Sequence, residues 1–141
     1  MSGRILGIDL GEKRVGLALS DPMGMIASPL GKIEFKGAQN LVAEIGKIVR
    51  QKEVSEVVIG LPIRTSGKKG GQAVQAERFA EMLEARLGIP VHLCDERLTT
   101  SAAERALLES DMSRGKRKLV RDQVAASLIL QSFLELRRSR P

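Results

Sequence analysis

Arg4-Ile-Leu-Gly-Ile-Asp-Leu-Gly-Glu-Lys-Arg-Val-Gly-Leu-Ala-Leu-Ser20 is the stretch whose reading decides the fold. Its first half, to Leu10, is short, almost wholly apolar and closed by Gly11, which suits a strand buried in the middle of a sheet. A turn over Glu12 and Lys13 leads into a second run, in which Val15, Leu17 and Leu19 alternate with small residues. The two runs therefore predict a hairpin. Asp21-Pro22 and Gly24 then mark another turn before a weaker strand candidate from about Met25 to Phe35. Pro29 and Gly31 interrupt it, so it is expected at a sheet edge or bent.

Beyond this core the pattern changes period. Leu41, Ile45, Ile48 and Val49 recur at helical spacing within 38–52, with Lys and Glu between them, predicting an amphipathic helix. Val57-Val-Ile-Gly-Leu-Pro62 is a β-branched run stopped by proline, as expected of a parallel strand covered on both faces. A flexible loop is expected over 64–71. Ala73, Ala76, Ala80, Leu83 and Leu87 then step by three and four toward Gly88, the expected helix stop. Val91 to Cys94 predicts another strand. Ser101-Ala-Ala-Glu104 matches a capping box for a helix to about Glu109, and the last helix is expected from about Leu119 to Arg137. The order is that of a single α/β domain over 1–141, its mixed sheet antiparallel at first and parallel afterwards, flanked by helices.

Composition bounds the function classes. With 141 residues, 43% apolar and 28% charged, the chain reads as one ordinary globular domain. No apolar run reaches membrane-spanning length, and strand-like sequence starts at once without a signal-peptide core, so a cytoplasmic location and no membrane partner are expected. One cysteine, Cys94, and one histidine, His92, leave no disulfide and no cysteine-rich zinc site to build. From Met112 onward eight basic residues face two acidic ones, which accounts for the whole net charge of +6. A polyanionic partner and a solvated basic tail both fit that distribution. The absence of Trp and Tyr, with only three Phe, argues against reading unstacked bases on an aromatic platform.

Carboxylates carry the chemistry. Asp9 falls near the carboxyl end of the first strand, where open α/β sheets place their sites. Asp95 and Glu96 follow the strand that ends at Cys94. Asp122 stands at helical spacing from Ala126, Ile129 and Phe133, on the stripe expected to face the sheet. Acids brought together from two strand ends and a helix repel one another unless cations intervene, and an all-oxygen ligand set selects Mg²⁺ or Mn²⁺. Two such ions about 4 Å apart activate water and stabilise a leaving oxygen in phosphodiester cleavage. Each acid also has a structural alternative: a turn cap for Asp9, the start of a solvated loop for Asp95 and Glu96, a helix first-turn acid for Asp122.

Basic residues supply the complementary half. Arg114, Lys116, Arg117 and Lys118 lie in a stretch, Met112 to Lys118, too polar to be held rigidly, and are expected to grip a phosphate backbone. Arg64, Lys68 and Lys69 form a second such candidate in the loop before the second helix. Lys13 and Arg14, beside Asp9, and Arg97, after Glu96, either pair with nearby acids or contact phosphate.

Four motifs in order, Asp9 to Asp21, Gly60-Leu-Pro62, Asp95-Glu-Arg-Leu-Thr-Thr100 and Asp122-Gln-Val-Ala-Ala-Ser127, resemble the YqgF family across essentially the whole chain. That family is described as pre-16S ribosomal RNA nucleases or Holliday junction resolvases with an RNase H-like fold. The resemblance implies an acidic site on Asp9, Glu96 and Asp122, and substrates in rRNA precursor, with the ribosome as an associated partner, or in branched DNA. Resolvase relatives carry a fourth acid. Gln123 stands beside Asp122 here, leaving Asp95 as the open fourth position.

Two rival readings remain at the level of sequence. Asp9-Leu-Gly11 followed by Gly16 resembles the phosphate-binding hairpin of actin-like kinases, but those enclose nucleotide between two such domains and this chain has length for one. A Walker A loop fails at Pro62 and Lys69. A non-catalytic rRNA-binding adaptor would use the same basic surface. The oligomeric state is left open.

Overall fold

The computed structural model describes residues 3–11, 13–61, 71–95 and 114–139. Five strands form one sheet in the order β3-β2-β1-β4-β5: β1 Arg4–Leu10, β2 Arg14–Ser20, β3 Ala27–Glu34, β4 Val54–Leu61 and β5 Val91–Asp95. β1 is central and antiparallel to β2, and β2 is antiparallel to β3, whereas β1–β4 and β4–β5 are parallel. The expected antiparallel opening and parallel remainder are therefore present. Among the described residues there are three helices, α1 Ala38–Gln51, α2 Gly71–Leu87 and α3 Arg114–Ser139.

Pleating sends alternate residues to two separate cores. Leu6, Ile8, Val15, Leu17, Val57 and Ile59 pack with Leu41 and Ile45 of α1 and Phe79 and Leu83 of α2. On the other face Ile5, Ala18, Val58 and Cys94 meet Ala126, Ile129, Leu130 and Leu134 of α3. The two-sided burial explains why β1 and β4 read as continuous apolar runs. β3 is the edge strand expected from Pro29, and its register slips between the pairs Leu17↔Gly31 and Ala18↔Pro29, so the pairing skips Leu30. α2 stops where the sequence placed its C-cap, with Gly88 at φ 70° and its N–H donating to the Glu84 carbonyl.

Several boundaries differ from the sequence expectation, β3 running only from Ala27 to Glu34 and β5 reaching Asp95. β4 starts at Val54, not Val57, because the parallel partner Arg4 extends the ladder to it. α2 starts at Gly71, two residues before its first apolar position. α3 starts at Arg114, so residues 114–118, expected as a mobile break before a helix from Leu119, are its first turns. Lys and Arg are good helix formers, so these residues can extend the helix without an apolar stripe of their own. The helix expected after Ser101 lies outside the described residues, as does most of the loop from Arg64.

Candidate active site

Asp9 is a half-buried residue one position short of the carboxyl end of β1. It pairs with Gly16 of β2, and Gly16 pairs with Lys32 of β3, which makes Asp9, Gly16 and Lys32 one cross-strand row. Toward the parallel side, Ile8 is level with Ile59, so Asp9 is level with Gly60, which is itself paired with Cys94. Asp9 thus shares the α3 face of the sheet with Ile5, Val58 and Cys94.

The turn beyond Asp9 is closed without its help. Gly11 donates its N–H to the Arg14 carbonyl at 3.0 Å, and a Cβ on Gly11 would stand 2.4 Å from that same oxygen. Among the described residues nothing hydrogen-bonds or ion-pairs with the Asp9 carboxylate. Among the described residues, then, the Asp9 carboxylate caps no turn. By contrast, Asp21 is a true turn cap: it accepts from the backbone N–H groups of Met23, Met25 and Ile26. Those bonds, Ile26 first, hold its carboxyl below the usual carboxylate range.

α3 reaches the same end of the sheet. Its C-terminal part lies over the amino ends of the strands, where Arg137 meets Glu56 and the Gln131 amide bridges the Met25 carbonyl and the Ala27 N–H. Its middle lies over Gly7: a Cβ there would meet the Leu130 Cβ at 2.8 Å and the Ala126 carbonyl oxygen at 3.0 Å. Position 122 is one turn, about 6 Å, before Ala126, and Asp9 is two strand residues, about 7 Å, beyond Gly7. The backbone thus carries residues 9 and 122 to the same level. Gly7 was not singled out from the sequence, although glycine inside a strand signals close backbone approach.

β5 ends at Asp95, which pairs with Leu61 and lies one residue out of phase with Cys94 in the pleat. Glu96 and Arg97 lie outside the described residues, as do Arg64, Lys68 and Lys69. Lys13 and Arg14 are exposed at the hairpin turn beside Asp9. Arg114, Lys116, Arg117 and Lys118 follow one another along the first turns of α3. Among the described residues no three His, Cys, Asp or Glu side chains surround a common point. Of the three expected acids, only Asp9 has a described side chain.

A family model described as "RuvX: Holliday junction resolvase" matches residues 3–136. The chain belongs to the RuvX family. This is the family already met as the YqgF resemblance. The curated relatives include a protein of Pelotomaculum thermopropionicum, 49% identical and covering 94% of this chain and 86% of its own length. Others are from Moorella thermoacetica, 48% identical over 94% of both chains, and Clostridioides difficile, 43% identical over 97% of both. All three carry the name "Putative pre-16S rRNA nuclease". Among solved structures, Thermus thermophilus RuvC in complex with a Holliday junction substrate superposes with a TM-score of 0.58, at 14% identity and 96% coverage of both chains. The fowlpox virus Holliday junction resolvase gives 0.54 at 13% identity, covering 94% of this chain and 99% of that one. These likenesses establish the RNase H-like fold of this RuvX-family chain.

His92 and Cys94 are both taken up in packing. Cys94 is a buried thiol in the α3 core. The His92 ring packs on Phe133 at 5.1 Å between centroids, and its Nε2 lies 3.6 Å from Glu56, at the amino end of the sheet away from Asp9. Arg137 completes that cluster, with both terminal nitrogens on Glu56 and its guanidinium 5.1 Å above Phe133. Chiefly through this bond to Arg137, Glu56 is held below the usual carboxylate range.

Proposed function

We propose that the chain is a divalent-metal-dependent endonuclease that cuts phosphodiester bonds in structured nucleic acid, with rRNA precursor as the substrate. The single observation that carries this reading is Asp9: a half-buried carboxylate at the carboxyl end of the central strand, with no described partner, level with position 122 of α3. A carboxylate placed there without hydrogen bonds is costly unless a cation completes it. Its hard oxygens suit Mg²⁺ or Mn²⁺.

Asp9, Glu96 and Asp122 would hold the metal, with Asp95 as a fourth position. When bound, a divalent ion of this kind supplies activation of the attacking water and charge at the leaving oxygen. The chain's own task is to anchor and orient the backbone. Lys13 and Arg14 flank the site from the hairpin, and the basic first turns of α3 lie just before residue 122; Arg64, Lys68, Lys69 and Arg97, outside the described residues, would add further phosphate contacts.

The relatives' name favours RNA, as pre-16S rRNA, while the family description favours Holliday junction DNA as the second reading. Side-by-side incubation with rRNA precursor and a four-way DNA junction in Mg²⁺ or Mn²⁺ separates them. Cleavage of the precursor alone supports the first reading, cleavage of the junction alone the second, and binding of either without cleavage a non-catalytic adaptor. No described helix is long and apolar enough to cross a membrane.

A further inference from the structure

The chain has three phenylalanines and neither tryptophan nor tyrosine. Two of the three are absorbed by packing: Phe79 is buried in the α1–α2 core, and Phe133 is sandwiched with His92 and Arg137. Phe35 is different. It is 43% exposed, and neither core includes it.

Its position is fixed by the backbone. β3 runs parallel to β1, so the end of β3 lies at the same edge of the sheet as Asp9. Phe35 follows that end directly, and its N–H donates to the Lys13 carbonyl at 2.9 Å, tying it to the turn beside Asp9. Lys32 is in the Asp9 row, three residues before Phe35. From strand spacing and rise, Phe35 stands about 10 Å sideways and about 10 Å beyond Asp9. Lys13 and Lys36 are exposed on either side of it. Glu34, the described acid of this rim, is cross-strand from Arg14, which offsets its charge.

Against the expectation drawn from the low aromatic content, we propose that Phe35 is a stacking platform for one unpaired nucleotide, with Lys13 and Lys36 holding the adjoining backbone phosphates, a few nucleotides from the phosphate at Asp9. This rests on the nuclease reading above and narrows its substrate to strands with an unpaired nucleotide beside the cut. An aromatic ring exposed among cations serves a single strand because every base has a π-face, whereas a base in a continuous duplex is already stacked. A protein partner would leave the flanking lysines without an assigned role; phosphates use both features at once.

The chain's lack of tryptophan makes the test direct. Phe35→Trp introduces one reporter at the platform. In an Asp9→Asn background, with Mg²⁺ present so that binding proceeds without cutting, Phe35→Trp emission is expected to be quenched by a short single-stranded RNA and not by a blunt RNA duplex. Phe35→Ala is expected to lose on the order of tenfold in affinity for a labelled single strand, with duplex affinity and melting temperature unchanged. Unmoved Phe35→Trp emission while the labelled strand binds would overturn the platform and leave the nuclease reading standing. Equal losses for strand and duplex in Phe35→Ala would also overturn it. Failure of any nucleic acid to bind would sink both.

Discussion

Gly7 and Leu130 touch so closely that a single methyl group has no room between them: a Cβ on Gly7 would lie 2.8 Å from the Leu130 Cβ. That contact sets the depth of α3 on the sheet, and with it the level at which residue 122 arrives beside Asp9. Gly7→Ala is therefore expected to destabilise the fold by about 1–3 kcal/mol, the usual range for overpacking a filled core. Denaturant unfolding measures this. Activity is expected to fall further than the loss of folded protein explains, because lifting α3 shifts the backbone at position 122 relative to Asp9.

The Glu56–Arg137 pair gives a pH signature away from the site. Arg137 lowers the Glu56 pKa below 4.5, so the pair's contribution is present above that value and is lost as pH falls through the lowered one. Both side chains are partly exposed, and screening limits the contribution to about 1 kcal/mol or less. Melting curves of Glu56→Gln and the parent are expected to differ at neutral pH and to converge as pH falls through the lowered Glu56 pKa.

Asp9→Asn removes charge at constant volume. With chelator present, its melting temperature is expected to stay equal to the parent's or to rise, since a carboxylate without described partners gains nothing from folding. A marked drop would instead make Asp9 a structural cap.

Neutralising Arg114, Lys116, Arg117 and Lys118 together is expected to weaken nucleic-acid binding and flatten its salt dependence by about 0.7 to 0.9 log units per lost phosphate contact. In the structure these four residues belong to the first turns of α3 and not to a break before it. An unchanged slope would move the anchor to the loop of Arg64, Lys68 and Lys69.

The central strands were legible because burial on both faces and alternation leave a period in the sequence, as at Val57 to Ile59 and Val15 to Leu19. Gly88 and Pro29 announced a helix stop and an edge for the same local reasons. The start of α3 was not legible, because Arg114 to Lys118 offer helix propensity without an apolar stripe. Glu56 meeting Arg137 and Phe35 being left outside both cores depend on how distant segments pack, which no local pattern encodes. Asp9 was legible as a strand-end carboxylate; what the fold adds is its row with Gly16 and Lys32 and its level with position 122.

The most direct measurement is single-turnover cleavage of rRNA precursor by the parent protein and by Asp9→Asn, each with Mg²⁺ and with chelator. The account predicts cutting by the parent in Mg²⁺ alone, and loss of at least about a hundredfold in Asp9→Asn while binding persists. Cleavage by Asp9→Asn at the parent's rate, or by the parent in chelator, would contradict it.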